Sequence, residues 1–138
     1  MTTALVRWSA PLIAALALTS CSAAATFSPD VPLVGAWGGR SIALTLTSAG
    51  GTVEYDCAHG RIDAALRPDA DGMLRASGVY VREHGGPIRD GEVEDVRPAI
   101  YAGTVDGDRV TLRVLVGADT LSALTATRGT PPQLFKCL

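Results

Sequence analysis

The chain is poor in the features that usually announce an activity. It has no Gly-x-Ser-x-Gly turn, no glycine-rich phosphate loop opening a helix and no Ser-x-x-Lys, so the common nucleophile and phosphate motifs are excluded. Its carboxylates mostly alternate with apolar residues on extended segments and so face water; nothing in the sequence supports an enzyme, and no cofactor is implied. No segment carries an amphipathic helical period, and no internal repeat is visible. The 12 basic and 14 acidic residues are scattered, leaving no basic patch of the kind that gathers nucleic acid, so that partner is set aside. Aromatics make up only 5% of the chain. A core built from Ala, Val, Leu and Thr is equally compatible with a filled interior and with a modest cavity.

What is present begins at the N-terminus. Arg7 supplies a positive start, and Leu12-Ile13-Ala14-Ala15-Leu16-Ala17-Leu18 an apolar run too short to cross ~30 Å of hydrocarbon as a helix. This is the pattern of an export signal. Leu18-Thr19-Ser20-Cys21 directly behind it resembles the bacterial lipobox. The resemblance implies lipidation of Cys21, removal of residues 1–20 and a membrane partner reached through the lipid. Ser22 stands where aspartate would imply inner-membrane retention, so the expected location is the outer membrane of the cell envelope. The alternative is ordinary cleavage after Ala23-Ala24-Ala25, which would release a soluble secreted protein. Residues 21–33, with Pro29 and Pro32, read as a flexible lipidated tether, and residues 34–138 as one domain.

With Cys21 lipidated, Cys57 and Cys137 remain as a pair. In an oxidising compartment the simplest reading is one disulfide. The rival is a metal site using free thiolates, against which export argues.

The domain alternates apolar and polar residues with period two. Strands are expected at Ile42–Thr47, Val53–Cys57, Ile62–Leu66, Met73–His84, Ala99–Val105, Arg109–Val116, Leu121–Arg128 and Gln133–Leu138, eight in all. Ala58-His59-Gly60 is expected to end the second. In the fourth, Leu74 and Ala76 keep one phase and Val79 and Val81 the other, so Gly78 is expected to mark a bulge or bend where the facing switches. Eight short antiparallel strands joined mostly by tight turns predict an all-β, up-and-down antiparallel barrel, with a β-sandwich as the alternative.

Gly35-Ala36-Trp37, just before the first expected strand, resembles the Gly-x-Trp opening of the calycin barrels. That family pairs the tryptophan with a basic residue on the last strand, and Arg128 is the candidate. The eight-strand count, however, puts Arg128 at the mouth opposite Trp37, so the count and the contact exclude one another. The runs Glu54–Gly60, Glu83–Pro87 and Leu134–Leu138 are similar to those of a group of small exported bacterial proteins, a likeness that carries no activity.

Antiparallel order gathers His59, His84 and Cys137 at one mouth, together with the long loop from Gly85 to Pro98. A Cys57–Cys137 bridge would staple that mouth across the first strand, with Tyr55, Cys57, Phe135 and Cys137 all facing inward. Arg89 in the loop, the two histidines, and Tyr55, Tyr80 and Tyr101 are the candidate ligand-binding residues. Tyrosines of this kind otherwise fill a barrel and bond through their hydroxyls. His59 and His84 with Asp56 or Glu83 could hold a transition metal, but the spacing matches no established zinc motif. The functional expectation is a lipid-anchored binding module for a small or peptide ligand. Alternatives are a protein-protein role, such as an envelope structural part or a protease inhibitor, and a metal-dependent enzyme using the two histidines.

Overall fold

A computed structural model describes residues 27–138; the apolar N-terminal run, the lipobox-like stretch and Cys21 lie outside the described residues. The fold is all-β and contains no helix among them. Its strands are β1 (Gly35–Gly39), β2 (Ile42–Thr47), β3 (Gly50–Tyr55), β4 (Ala58–Ile62), β5 (Met73–Arg82), β6 (Asp95–Asp106), β7 (Arg109–Val116), β8 (Asp119–Thr120) and β9 (Leu124–Arg128). Neighbours in sequence pair antiparallel from β1 through β7, and β9 joins β7 to β1, which closes an eight-stranded barrel. The two-residue β8 is an extra strand on the end of β7. Closure leaves no long free edge to template aggregation. The architecture is that of a calycin-like barrel.

The period-two pattern fills the interior. Ile42, Leu44 and Leu46 on β2 meet the inward face of β3, and Val110, Leu112, Val114 and Val116 on β7 share the same core. Each fully buried Val, Leu or Ile contributes on the order of 1.5–3 kcal/mol, so this set dominates stability.

The number of barrel strands agrees with expectation, but the membership differs. Gly35–Gly39 is a strand, whereas Gln133–Leu138 is not: its one ladder contact is a parallel bridge from Gln133 to Arg40. Both edges of β9 are already occupied, by β1 and β7, so an alternating tail finds no strand to join. In the same way His59 and Gly60 lie within β4 rather than ending a strand, and residues 63–72 form a loop. Nor does Gly78 mark a bulge. The β5–β6 register runs unbroken from Met73↔Thr104 to Arg82↔Asp95. Instead, a side chain at Gly78 would press on the Arg61 carbonyl and the Tyr101 ring, and one at Gly60 on the Tyr101 hydroxyl. The two glycines make room for Tyr101, which is fully buried and donates its O–H to the Val79 carbonyl at 2.6 Å. The phase change in β5 arises because Val81, on the outer face, is covered by the long β5–β6 loop.

One end of the barrel is sealed. Residues 27–34 cross it, with Leu33 N–H donating to Leu66 O at 2.8 Å and Asp30 N–H to Pro68 O at 2.9 Å. Leu33, Trp37 and Leu66 are buried there, and Phe27 packs against the same cluster. Seven residues of the expected tether are thus laid onto the body rather than free of it. Arg128 closes the arrangement. Its guanidinium lies 4.1 Å from the Trp37 ring centroid, donates to Val34 O at 2.7 Å and pairs with Asp108. The contact implied by the Gly-x-Trp resemblance therefore exists, and the sequence-based strand count is what must give way: with Gly35–Gly39 counted in, Trp37 and Arg128 become register partners.

Candidate functional site

The β1–β2, β3–β4, β5–β6 and β7–β9 connections all fall at the other end, and this end is open. A pocket of about 260 Å³ sits in it, lined by Ser41, Tyr55, Asp56, Ala58, Tyr80 and Leu124 among others. Tyr55 ends β3 in the inward phase, opposite Ile42, and Tyr80 comes from β5; their rings are 6.1 Å apart and tilted at 49°. Together they form the polar-tipped floor of a mostly apolar cup. Beneath them the interior is filled by Ile42, Leu44 and Tyr101, so the cup is shallow.

The Tyr55 hydroxyl is the distinctive atom of this site. It is buried and has no hydrogen-bond partner. Desolvation, followed by the neighbouring Tyr101 and Tyr80, pushes its pKa well above the ordinary phenol value, so it remains an O–H donor. Leaving such a group unpaired costs about 1–3 kcal/mol. The other buried side-chain atom without a partner among the described residues is Trp37 Nε1, which does not face this pocket.

Asp56 is the charged residue of the lining. Its Oδ1 accepts from Phe135 N–H at 2.8 Å. That bond, with the Ser41 hydroxyl and the charges of Lys136 and Arg40, holds the carboxyl below its ordinary range. It is ionised at neutral pH.

The rim is tied by the C-terminal tail. Cys57, in the two-residue β3–β4 turn, is disulfide-bonded to Cys137 with Cα atoms 5.2 Å apart. Cys137 N–H donates to Asp56 O, and Lys136 Nζ donates to Glu54 and to Tyr55 O, both at 2.9 Å. The bridge therefore pins the tail to the outside of a turn rather than spanning strands. Phe135 is 66% exposed and Cys137 is exposed; of the four side chains expected to face inward, Tyr55 packs on the core and Cys57 is only partly buried. The inward assignment of the tail fails because it presupposed a strand at 133–138.

The remaining candidates separate. Tyr101 belongs to the core, with its hydroxyl satisfied. His59 is on the outer face of β4 and meets Glu83 through Nδ1 at 2.8 Å. Burial of Glu83 is outweighed by that bond and by Lys136, so its pKa is lowered. His84 leads into the long loop, with Nδ1 against Gly85 O at 3.0 Å and Nε2 against Glu92. Both ring nitrogens face acceptors, so the imidazolium satisfies both. Its pKa is raised accordingly, first by the Gly85 carbonyl and then by Glu92. Arg89 lies at the loop tip, where its backbone N–H donates to Glu92. His59 and His84 do reach the open end, as expected, and both line a groove of about 270 Å³ under the loop. Each is engaged by its own carboxylate, and no group of three or more metal-ligating side chains is placed to hold an ion among the described residues.

Of the sequence-derived candidates, then, Tyr55 and Tyr80 share the pocket. Ser41, Asp56 as a rim charge, Ala58 and Leu124 were not foreseen there. The inward phase of Tyr55 was the one sequence signal pointing to it. No family model, curated protein or solved structure matches the chain.

Proposed function

We propose that the protein is a binding module whose open barrel end takes a small, largely apolar ligand. The observation that carries this is the open, mostly apolar cup at this end, lined by Tyr55, Ala58, Tyr80 and Leu124 among others. The volume lies below the about 300–1,000 Å³ of sites for drug-sized molecules, so the ligand is small or enters by one group only, such as a peptide side chain. The test is a fragment screen read by amide and methyl NMR. Saturable shifts concentrated on Tyr55, Ala58, Tyr80 and Leu124 support the reading; shifts confined to the long loop, or none, contradict it.

The lipid anchor at Cys21 is part of the same proposal. Cys21 lies six positions before Phe27, where the chain reaches the sealed end. An acylated Cys21 would hold that end toward the membrane and turn the binding end outward. Intact-mass analysis of the mature protein from an envelope fraction tests this: acyl groups on an N-terminal Cys21 support it, and an unmodified chain beginning at Thr26 contradicts it.

A protein partner is the second reading, favoured by the long loop. Ile88 is 86% and Val93 90% exposed near its tip, and exposed apolar tips of this kind are a common docking feature. Under that reading Ile88→Ser and Val93→Ser abolish capture of an envelope protein while Tyr55→Phe does not.

A further inference from the structure

Residues 133–138 do not join the barrel, yet they bind the two turns that give the open pocket much of its lining: Ser41 in the β1–β2 turn, and Tyr55, Asp56, Cys57 and Ala58 around the β3–β4 turn. At the first turn Ser41 N–H donates to Gln133 O at 2.8 Å and Gln133 N–H to Gly39 O at 2.9 Å. Ser41 has a φ of 63°, a left-handed conformation that a serine keeps only where its surroundings hold it. At the second turn Phe135 N–H donates to Asp56 Oδ1 at 2.8 Å, Cys137 N–H donates to Asp56 O at 3.2 Å, and Cys137 is bonded to Cys57. The tail is thus a brace from one turn to the other.

Little besides the disulfide makes that brace permanent. Of residues 133–138 only Leu134 is even partly buried, so the tail adds almost no apolar burial. Its Lys136 ion pairs with Glu54 and Glu83 lie at the surface, where such pairs are weak. The covalent bond is also placed for exchange, because Cys137 is exposed, and exposed disulfides are the ones that thiols reach. Neither cysteine belongs to the buried core, so breaking the bridge leaves the barrel standing.

We propose that the tail is a thiol-sensitive brace on the binding end. With Cys57 and Cys137 bonded, the cup is held in its binding shape; reduction by a dithiol releases the tail, lets the Ser41 and Asp56 turns move independently and weakens the cup. This rests on the reading of the open end as a binding site and adds to it a means of control. In the exchange a thiolate of the dithiol attacks Cys137 Sγ, the Sγ–Sγ bond breaks, and Cys57 leaves as a thiolate and takes up a proton. The second thiol then attacks the reagent's own sulfur in the mixed disulfide and releases Cys137 as a thiol. The cysteine pair gains two electrons and two protons, and the dithiol is oxidised to its disulfide.

The test titrates the full chain with acetophenone, first oxidised and then in excess dithiothreitol. Chemical-shift changes at Ala58, Tyr80 and Leu124 give the affinity, and amide exchange follows the brace and the core together. Reduction is expected to weaken acetophenone by about fivefold or more, as loss of preorganisation does. Exchange should quicken at Ser41, Phe135 and Cys137 while the buried Leu44 and Leu112 stay protected, and removing the dithiol in air should restore both readings. The double variant Cys57→Ser, Cys137→Ser should match the reduced protein with or without dithiothreitol. Equal affinity in the two states, or a loss that dithiothreitol also causes in the double variant, overturns the brace and leaves the binding site in place. Lost protection at Leu44 and Leu112 on reduction also overturns it, because unfolding would then account for the weaker binding. An oxidised protein without saturable shifts overturns the site, and the brace with it. The reversible comparison on the unaltered chain is decisive even if the double variant folds poorly.

Discussion

At the sealed end of the barrel Leu33, Trp37 and Leu66 are each at most 5% exposed, and the Arg128 guanidinium lies over the indole. At the open end Tyr55 and Tyr80 are only partly buried, one hydroxyl is unpartnered, and closure is left to a disulfide, a tail and a long loop. The same eight strands supply both ends. The difference lies in what the connections bring: a chain segment with apolar residues at one end, and polar turns with the disulfide-bonded C-terminal tail at the other. Tight burial is concentrated at the sealed end and the open pocket at the other, while each end keeps one buried donor without a partner, Trp37 Nε1 and the Tyr55 hydroxyl. Such a division is expected when a site must stay unfilled on a scaffold that must stay folded.

The largest effect should come from the sealed end. Trp37→Ala removes the plug and the partner of Arg128, and is expected to cost about 3–5 kcal/mol in denaturant unfolding. A loss smaller than that of Tyr80→Ala would reverse the assignment of the two ends. Next is the covalent tie at the open end. Replacing Cys57 and Cys137, separated by 80 positions, with serine should cost about 2–4 kcal/mol. Hydrogen exchange should accelerate across residues 133–138 and leave the amides of β1 and β9 protected; uniform loosening of the barrel would show that the tie supports the whole molecule.

Between the ends, Gly60→Ala forces a methyl group onto the Tyr101 hydroxyl and should cost about 1–3 kcal/mol. Tyr101→Phe in the same background should relieve part of that loss. An additive pair would show that the glycine is not there to admit the tyrosine.

Tyr55→Phe should run the other way. Deleting a buried hydroxyl that has no partner is expected to leave stability unchanged or raise it by up to about 1 kcal/mol. Destabilisation of more than that would mean that the hydroxyl is bonded within the protein.

The smallest effect concerns the loop. The His84 pKa is raised, first by Gly85 O and then by Glu92, so its stabilisation is full below the ordinary histidine value of 6.5 and fades as pH climbs through the raised one. The Glu92 pKa is lowered, first by the Arg89 N–H and then by His84, so its stabilisation is full above the ordinary 4.5 and fades as pH falls through the lowered one. Loop amides 85–92, corrected for intrinsic rates, should exchange most slowly between those two values. Both groups are exposed, so added salt should flatten the profile.

Much of the architecture was legible because it rests on period-two alternation, which Ile42–Thr47 and Arg109–Val116 display without interruption. Gly35–Gly39 was not legible as a strand because Trp37 is its one large apolar side chain, and four of its five residues are too small to show a phase. The tail misled for the opposite reason. Phe135, Lys136 and Cys137 alternate locally, yet strand formation depends on a free edge, which alternation does not report. Gly60 and Gly78 read as punctuation and turned out to be space for a ring contributed by a strand over twenty residues away. The site shows the same limits. Tyr55 could be placed inward from its phase, but that its hydroxyl would lack a partner, and that Asp56 would be the rim charge, depend on turns and a tail that meet only in three dimensions.

The central claim is most directly tested by a crystal structure of the protein soaked with acetophenone. The account predicts the ketone seated in the cup, with its ring against Tyr80 and Leu124. An empty cup with acetophenone bound only in the groove beneath the long loop would contradict it.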